Sequence, residues 1–316
     1  MKVLVTGASG KVGAATVEAV RRRGHEVTAC DSRPGSLGGE LVFADMVDPG
    51  DAFAVVRGHD AVIHAAAIPG PLQHPPHTVF RNNLMGAFNA LEAAVRWGVP
   101  RFVNISSETV AGMFYAERDF TPDYLPLDEE HPLRPQDPYA LAKVFSEQLC
   151  DAAVERSDIR CISIRPSWVQ WEGNYADNLG PWIREPSRSE GFWAYIDAYD
   201  LADAIRLAAE RSTPGHEVVY IASPDIASHE TLATLAERFH GDAAPEIRPS
   251  AEERPSGISI AKARALIGYD PQRSWRDYLE DDGRLRPAVR ERLERGATGV
   301  QRGRRMTGAT GPPGGA

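Results

Sequence analysis

The sequence predicts an α/β fold, a doubly wound parallel sheet followed by a small C-terminal lobe. Three observations predict it. Short apolar, β-branched runs alternate with amphipathic helical stretches through the first half of the 316 residues. The first of these runs ends in a glycine triplet that opens a helix, and after Pro166 the alternation breaks. Apolar strands separated by helices belong in a parallel sheet covered on both faces.

The elements follow in order. Residues 2–6 read as a buried strand that runs into Gly7, Gly10 and Gly13, and then into a helix from Ala14. Residues 26–30 and 40–44 read as the second and third strands, separated by a Pro/Gly-rich turn, and residues 52–57 as a short helix. Residues 61–67 are a fourth strand, and the stretch 69–76 is too proline-rich for a helix. A helix over 78–97, a fifth strand over 102–106, a helix over 139–154 and a sixth strand over 160–165 complete the first half. The stretch 110–136 between them is irregular. Beyond Pro166, residues 200–211, 228–239 and 259–266 read as helices and 217–222 as a strand. From about residue 282 the chain is rich in Arg and Gly, the composition of a disordered basic tail. The expected dinucleotide-binding domain is 1–165 with about 194–222. The small substrate-binding domain takes about 166–193 and 223–281, and the tail 282–316.

Bulk composition bounds the function. The chain is 42% hydrophobic and 25% charged, a globular balance, and no apolar run approaches the length of a membrane span. The first strand begins at Lys2, so no secretory leader is expected. Cys30, Cys150 and Cys161 form no C-x-x-C pair, which points to a reducing cytoplasm and to no metal site. A net charge of −9 disfavours nucleic acid as a partner. Only four of the 35 basic residues are lysine, namely Lys2, Lys11, Lys143 and Lys262. Each retained lysine is therefore a candidate for chemistry that arginine cannot do.

Strand, glycine turn and helix opening form the setting of a dinucleotide site. Gly7 allows the tight turn, Gly10 lets backbone N–H groups approach a pyrophosphate, and Gly13 lets helix and strand pack closely. The helix N-terminus then faces the phosphates with its partial positive charge. Ser9, Lys11 and Val12 fill the loop, Lys11 alternatively as a plain surface residue. Asp31 closes the second strand, where a carboxylate accepts from both ribose hydroxyls and repels a 2′-phosphate. That favours NAD over NADP, although Arg33 two residues on offers a grip for a phosphate. Asp45, with Met46 after the third strand, either brackets an adenine or is a solvated turn.

The sharpest chemical signal is Tyr139-Ala-Leu-Ala-Lys143 with Ser106-Ser107 upstream. Four residues apart on a helix, Tyr139 and Lys143 share one face. A phenol is a poor acid-base group at neutral pH, and bringing it near neutrality requires about 4 kcal/mol of differential stabilisation. An ammonium nearby and a positive nicotinamide both act in that sense. Ser107, at the end of the fifth strand, can orient the oxygen that Tyr139 serves.

In these features the chain resembles the extended short-chain dehydrogenases/reductases, the NAD-dependent epimerases and dehydratases. The resemblance runs through Thr6-Gly-Ala-Ser-Gly-Lys-Val-Gly13, Asp31, Ala44-Asp-Met-Val-Asp48, His64-Ala-Ala-Ala67 and Asn83-Leu-Met-Gly-Ala-Phe-Asn-Ala90. It continues through Ile105-Ser-Ser107, Tyr139 to Lys143, Arg165-Pro166, Asp200-Leu-Ala-Asp-Ala204 and a late segment, 261–269. It implies a Rossmann-type sheet, bound NAD, and hydride transfer at a carbinol carbon. It makes Ser107, Tyr139 and Lys143 catalytic, with Tyr139 as acid-base, Lys143 on the nicotinamide ribose and Ser107 beside the reacting oxygen. It also implies that His64, Ala65, Ala66, Asn83, Ile105 and Pro166 contact the cofactor, and that a homodimer packs through the helices near 78–97 and 138–154.

Within the family, 4,6-dehydratases carry Thr-Asp-Glu where this chain has Ser107-Glu108-Thr109. Thr109 cannot replace their base, so dehydration is disfavoured. The 4-epimerases bind a nucleotide-sugar through a segment that Asp177-Asn178-Leu-Gly-Pro-Trp-Ile183 resembles. However, only nine residues separate Ile183 from Trp193, where those enzymes insert a longer stretch. Uronate dehydrogenases are similarly short. Trp168, Trp171 and Tyr175 either stack on a sugar ring or build the small lobe's core, and Arg184 or Arg188 can meet a carboxylate or phosphate. Ser107, Glu108, Trp168, Asn178 and Arg184 are the expected substrate contacts. The expected activity is NAD-dependent oxidation or reduction of a sugar or sugar-acid-like substrate, with nucleotide-sugar 4-epimerisation second. A non-catalytic NAD sensor is a remote third, since both Tyr139 and Lys143 are present.

Overall fold

The computed structural model describes residues 1–35, 40–211 and 213–295. The expected alternation appears as β1 (Lys2–Thr6), α1 (Lys11–Arg22), β2 (Glu26–Asp31), β3 (Leu41–Phe43), α2 (Pro49–Val56), β4 (Ala61–His64), α3 (Pro76–Arg96) and β5 (Arg101–Ile105). Then come β6 (Tyr124–Leu125), α4 (Pro138–Glu155), β7 (Arg160–Pro166), β8 (Val169–Gln170), α5 (Tyr175–Asn178), α6 (Gly180–Arg184) and β9 (Ile196–Asp197). The chain continues with α7 (Ala198–Glu210), β10 (His216–Ile221), α8 (Leu232–His240), β11 (Glu246–Ile247) and α9 (Ala261–Ile267).

Seven strands make one parallel sheet in the order β10-β7-β5-β4-β1-β2-β3. Successive strands fill outward from β1 first in one direction and then, from β4, in the other. The order therefore reverses between β1 and β4, the place where open α/β sheets bind ligands beyond the carboxyl ends of their strands. Side-chain alternation divides the core between the two faces. Val3, Val5, Ile63, Val103 and Ile164 pack with α1 and α7, whereas Leu4, Val62, Phe102 and Cys161 pack with α2, α3 and α4. Each such fully buried Val, Leu, Ile or Phe contributes about 1.5–3 kcal/mol relative to exposure.

Local signals set the helix starts. α4 begins where Asp137 Oδ1 accepts from the amides of Tyr139 and Ala140, at 2.9 and 3.0 Å, with Pro138 in the first turn. This cap fixes where Tyr139 enters the helix.

The small lobe has its own core around Trp193, Tyr195, Trp275 and Tyr278. Ala111, Met113, Leu125 and Leu127 belong to that core, although the sequence places them in the dinucleotide-binding domain. Tyr175 and Tyr278 stack at 4.1 Å, and both hydroxyls donate to Asp197 Oδ2 at 2.9 Å. The tail expected from residue 282 starts too early. Residues 287–295 are helical, and Val289 is buried in the small-lobe core. The remainder, 296–316, lies outside the described residues, as does 36–39 of the expected turn after β2.

Candidate active site

A cleft of about 880 Å³ crosses the carboxyl ends of the strands. Its wall is built strand by strand. Asp45 and Met46 follow β3, Asp31 ends β2, and the glycine loop follows β1. Ala65 and Ala66 follow β4, Ser106 to Thr109 follow β5, Pro166 ends β7, and Ser167 to Val169 with Trp171 come after it. Its volume lies near the top of the range for ligand sites, about 300–1,000 Å³.

The glycine loop fits a dinucleotide on steric grounds. Gly7 has φ +67°, and a Cβ there would lie 2.6 Å from the Ala66 backbone. A Cβ on Gly13 would lie 2.1 Å from the Gly7 carbonyl oxygen. Only glycine lets the two turns nest so closely, and Ser9, Gly10, Lys11 and Val12 consequently line the cleft beside the start of α1. The amides of that first helical turn have no partner inside the helix and suit an anion. Asp31 is anchored from both sides, Oδ2 by the Ser9 amide at 2.9 Å and Oδ1 by the Arg33 amide at 3.0 Å. The Ser9 hydroxyl donates to the Arg33 carbonyl at 2.7 Å, so loop and carboxylate form one unit. These residues fit NAD. Asp45 is exposed, its carboxylate turned back on the Val47 amide at 2.9 Å, and Met46 is buried against the cleft.

Ser107, Tyr139 and Lys143 converge on the other end. Lys143 is buried, and its Nζ donates to the Ile105 carbonyl at 2.5 Å. It lies 5.7 Å from the Tyr139 ring centroid. Burial lowers the Lys143 ammonium to about 8, partly offset by the Glu147 carboxylate. The Tyr139 phenol is pushed up to about 12 by burial, against a downward pull from its hydrogen bond with Ser107. Tyr115, Asp137 and Glu108 raise it further. The protein's own groups thus hold this phenol protonated, the opposite of the direction expected from Lys143 alone. Ser107 Oγ accepts from the Thr109 amide at 3.2 Å as the cap of a 3₁₀ turn, Glu108–Ala111, which leaves its proton free to donate. Behind it, Ser106 Oγ donates to Glu147 Oε1 at 2.6 Å, and Glu147 holds Arg165 in a buried bidentate pair at 2.9 and 2.7 Å.

Two expected cofactor contacts do not line the cleft. His64 is buried beneath the loop with Nδ1 3.0 Å from Thr6 Oγ1, and burial, then the Lys143 charge, lowers it to about 3. Its ring is a neutral core group, stacked beside Phe102 of the neighbouring strand at 6.2 Å and covered by Gly86 of α3. Asn83 clamps the loop after β4, accepting from the Ile68 amide at 2.8 Å and donating to the Ile68 carbonyl at 3.0 Å. Two expected substrate contacts also lie elsewhere. Asn178 donates to Gln170 Oε1 at 3.0 Å, and Arg184 is exposed outside the cleft. Arg188 pairs with Asp119 at 3.2 Å. Trp168 and Trp171 face the cleft, whereas Tyr175 is core.

The structure adds residues that the sequence did not mark. Phe114 and Tyr115 line the cleft, Tyr115 with φ +56°, from the segment that reads as irregular. Gln73, His74 and Asn82 also line it. The proline-rich stretch 69–76 carried the one available signal, since loops after strand ends build such sites. Asn89 donates to the Met46 and Val47 carbonyls, both at 3.0 Å, and secures the turn after β3.

Comparison with known proteins agrees with this geometry. A family model described as NAD dependent epimerase/dehydratase family matches residues 3–222. L-arabinose 1-dehydrogenase (NAD(P)(+)) of Haloferax volcanii is 29% identical over 67% of this chain and 84% of its own length. Uronate dehydrogenase of Pseudomonas syringae pv. tomato is 27% identical over 69% of this chain and 73% of its own. UDP-glucose 4-epimerase of Corynebacterium glutamicum is 25% identical over 92% of this chain and 98% of its own. With a glycine loop, Asp31 and the Ser107, Tyr139 and Lys143 group on one cleft, and a family match over more than half its length, the chain belongs to the NAD-dependent epimerase/dehydratase family.

Proposed function

We propose that the protein is an NAD-dependent sugar dehydrogenase that oxidises a carbinol of a sugar or sugar-acid-like substrate. The observation that carries the reading is the convergence of Ser107, Tyr139 and Lys143 at the end of the cleft opposite Asp31. NAD, when bound, supplies the hydride acceptor and a positive charge on its nicotinamide ring. Ser107 donates to the substrate oxygen and fixes its distance from Tyr139. As the hydride leaves the carbinol carbon, the hydroxyl proton passes to the Tyr139 oxygen. Tyr139 must then be anionic at the outset. Because burial holds it at about 12, Lys143 and the nicotinamide charge have to supply the opposing stabilisation. Lys143 is held for that role by Ile105, and as an ammonium it would donate to a ribose hydroxyl of bound NAD.

A second reading is 4-epimerisation of a nucleotide-sugar, favoured by the near full-length match to a UDP-glucose 4-epimerase. Against it, Asn178 is tied to Gln170 and Arg184 lies outside the cleft, so the segment after β7 offers no evident hold on a diphosphate. Steady NADH formation with free sugars or sugar acids supports dehydrogenation. Interconversion of a UDP- or TDP-sugar with no accumulated NADH would overturn it.

The same reading includes a cytoplasmic homodimer. Met85, Phe88 and Phe145 are exposed on α3 and α4, the helices expected to meet a second copy. The three cysteines are free and buried, as suits a reducing compartment. No helix among the described residues is long and apolar enough to cross a membrane.

A further inference from the structure

Glu108 stands beside Ser107 at the reacting end of the cleft and is only 4% exposed. Its Oε2 is buried with no hydrogen-bond partner. A buried carboxyl oxygen left unpaired is costly, and such groups mark places where a ligand completes the hydrogen bonding. The surroundings are built to cover it. A Cβ on Gly191 would lie 2.5 Å from Phe114 Cζ and 3.7 Å from Glu108 Oε2, so glycine at 191 lets the Phe114 ring close over the carboxyl. The Tyr115 and Tyr139 phenols lie close enough that a charge on this carboxyl would raise both.

The lysines and the arginine that line the cleft are committed to other partners or lie at the Asp31 end. Among the described lining residues, Arg33 sits beyond Asp31, Lys143 is bound to the Ile105 carbonyl, and Lys11 lies over the Trp171 ring at 3.0 Å. His74 is the remaining candidate, and no guanidinium reaches the end that holds Ser107.

We propose that the Glu108 carboxyl reads the substrate by hydrogen-bonding a hydroxyl of an uncharged polyhydroxy compound, an aldose in chemical class, at a cleft end where no arginine among the described residues stands ready to pair an anionic substrate group. This rests on the dehydrogenase reading above and narrows its substrate. Burial raises the Glu108 carboxyl well above the usual carboxylate range, which favours its protonated form. In that form it both donates and accepts, as a sugar hydroxyl does, and a substrate carboxylate gains nothing that offsets its lost hydration.

The test compares NADH formation from aldose and uronate pairs, glucose with glucuronate and galactose with galacturonate, for the wild type, Glu108→Gln and Glu108→Ala. NAD binding, followed by tryptophan fluorescence, reports folding. The expected result is an aldose kcat/KM at least about 100-fold above that of its uronate. Glu108→Ala raises the aldose KM about tenfold, the value of one hydrogen bond, and Glu108→Gln, which keeps a donor and an acceptor, raises it less. A wild type that prefers the uronate overturns the proposal, as does an aldose KM unmoved in an NAD-binding Glu108→Ala protein. If Glu108→Ala fails to bind NAD, a Glu108→Gln KM raised tenfold or more overturns it. NAD binding with no NADH from any sugar removes the dehydrogenase reading, and this proposal with it, which separates the two failures.

Discussion

Lys143 Nζ donates to the backbone carbonyl of Ile105 at 2.5 Å, which pins the ammonium from α4 to the last residue of β5. Ser106 and Ser107 follow Ile105 directly, so one lysine ties the acid-base helix to the strand end that carries the orienting serine. The same bond keeps a charge in a buried place, where burial, partly offset by the Glu147 carboxylate, lowers the group to about 8. A carbonyl accepts from an ammonium and cannot be satisfied as well by a neutral side chain of equal length.

Lys143→Met therefore breaks two functions at once. It leaves the Ile105 carbonyl unpaired and removes the charge that stabilises a Tyr139 phenolate. kcat falls at least about 100-fold, the scale of a lost acid-base partner. Steady-state NADH assays in parallel with thermal melts check this. Unchanged turnover would refute the role given to Lys143.

Tyr139→Phe removes the proton acceptor and little else. The ring still packs on α4, and the helix cap at Asp137 uses backbone amides that the change does not touch. NAD affinity and melting temperature stay near wild type, and kcat drops about 10²–10⁴-fold. Turnover within a fewfold of wild type would remove Tyr139 from the chemistry.

Much of this site is legible in the sequence because each part depends on local geometry. The spacing of Gly7, Gly10 and Gly13, the strand end at Asp31, and the helical spacing of Tyr139 and Lys143 are all set within a few residues. Arg184 and Asn178 fail for the converse reason. They lie on α6 and α5, helices of five and four residues, whose orientation is fixed by long-range packing of Ile183, Tyr175 and Trp193 into the small lobe. His64 is the last residue of β4, still held inside the sheet by Thr6, whereas Ala65 and Ala66 lie past the strand end in the turn that faces the cleft. The helix at 287–295 was hidden by an Arg-rich composition, although Leu285, Val289 and Leu293 supply an apolar stripe.

His64 makes stability sensitive to acid. Its folded value of about 3 lies below the ordinary 6.5, so the unfolded chain binds a proton that the folded chain does not. Stability therefore falls as pH drops below about 6.5 and is flat above it. At pH 5 the loss from this group is about 2 kcal/mol. Urea melts between pH 5 and 7.5 should show that slope, and His64→Gln should flatten it. An identical slope in the variant would show that other groups carry the acid sensitivity.

Asp31 braces the glycine loop through Ser9, and the proposed function gives its charge the choice between NAD and NADP. Asp31→Asn keeps an acceptor for a backbone amide and removes the charge that repels a 2′-phosphate. The KM for NADP falls about tenfold while that for NAD rises a fewfold, consistent with about 1.4 kcal/mol of lost repulsion. Wild-type enzyme that uses NADP better than NAD would contradict the assignment outright.

Lys11 and Trp171 meet across the cleft, Nζ 3.0 Å from the indole centroid, and so join the glycine loop to the segment after β7. Burial lowers the Lys11 ammonium from its ordinary value, against the pull of the ring, which favours the charged form. A cation over an indole at a largely exposed site is worth about 0.5–1 kcal/mol. Both residues line the cleft, so the contact helps hold its two walls together. Lys11→Ala and Trp171→Ala should each raise the substrate KM, and the double variant should cost less than the sum by about that energy. Strictly additive effects in the cycle would mean that the two side chains touch without coupling, and that the walls are held by the folded lobes alone.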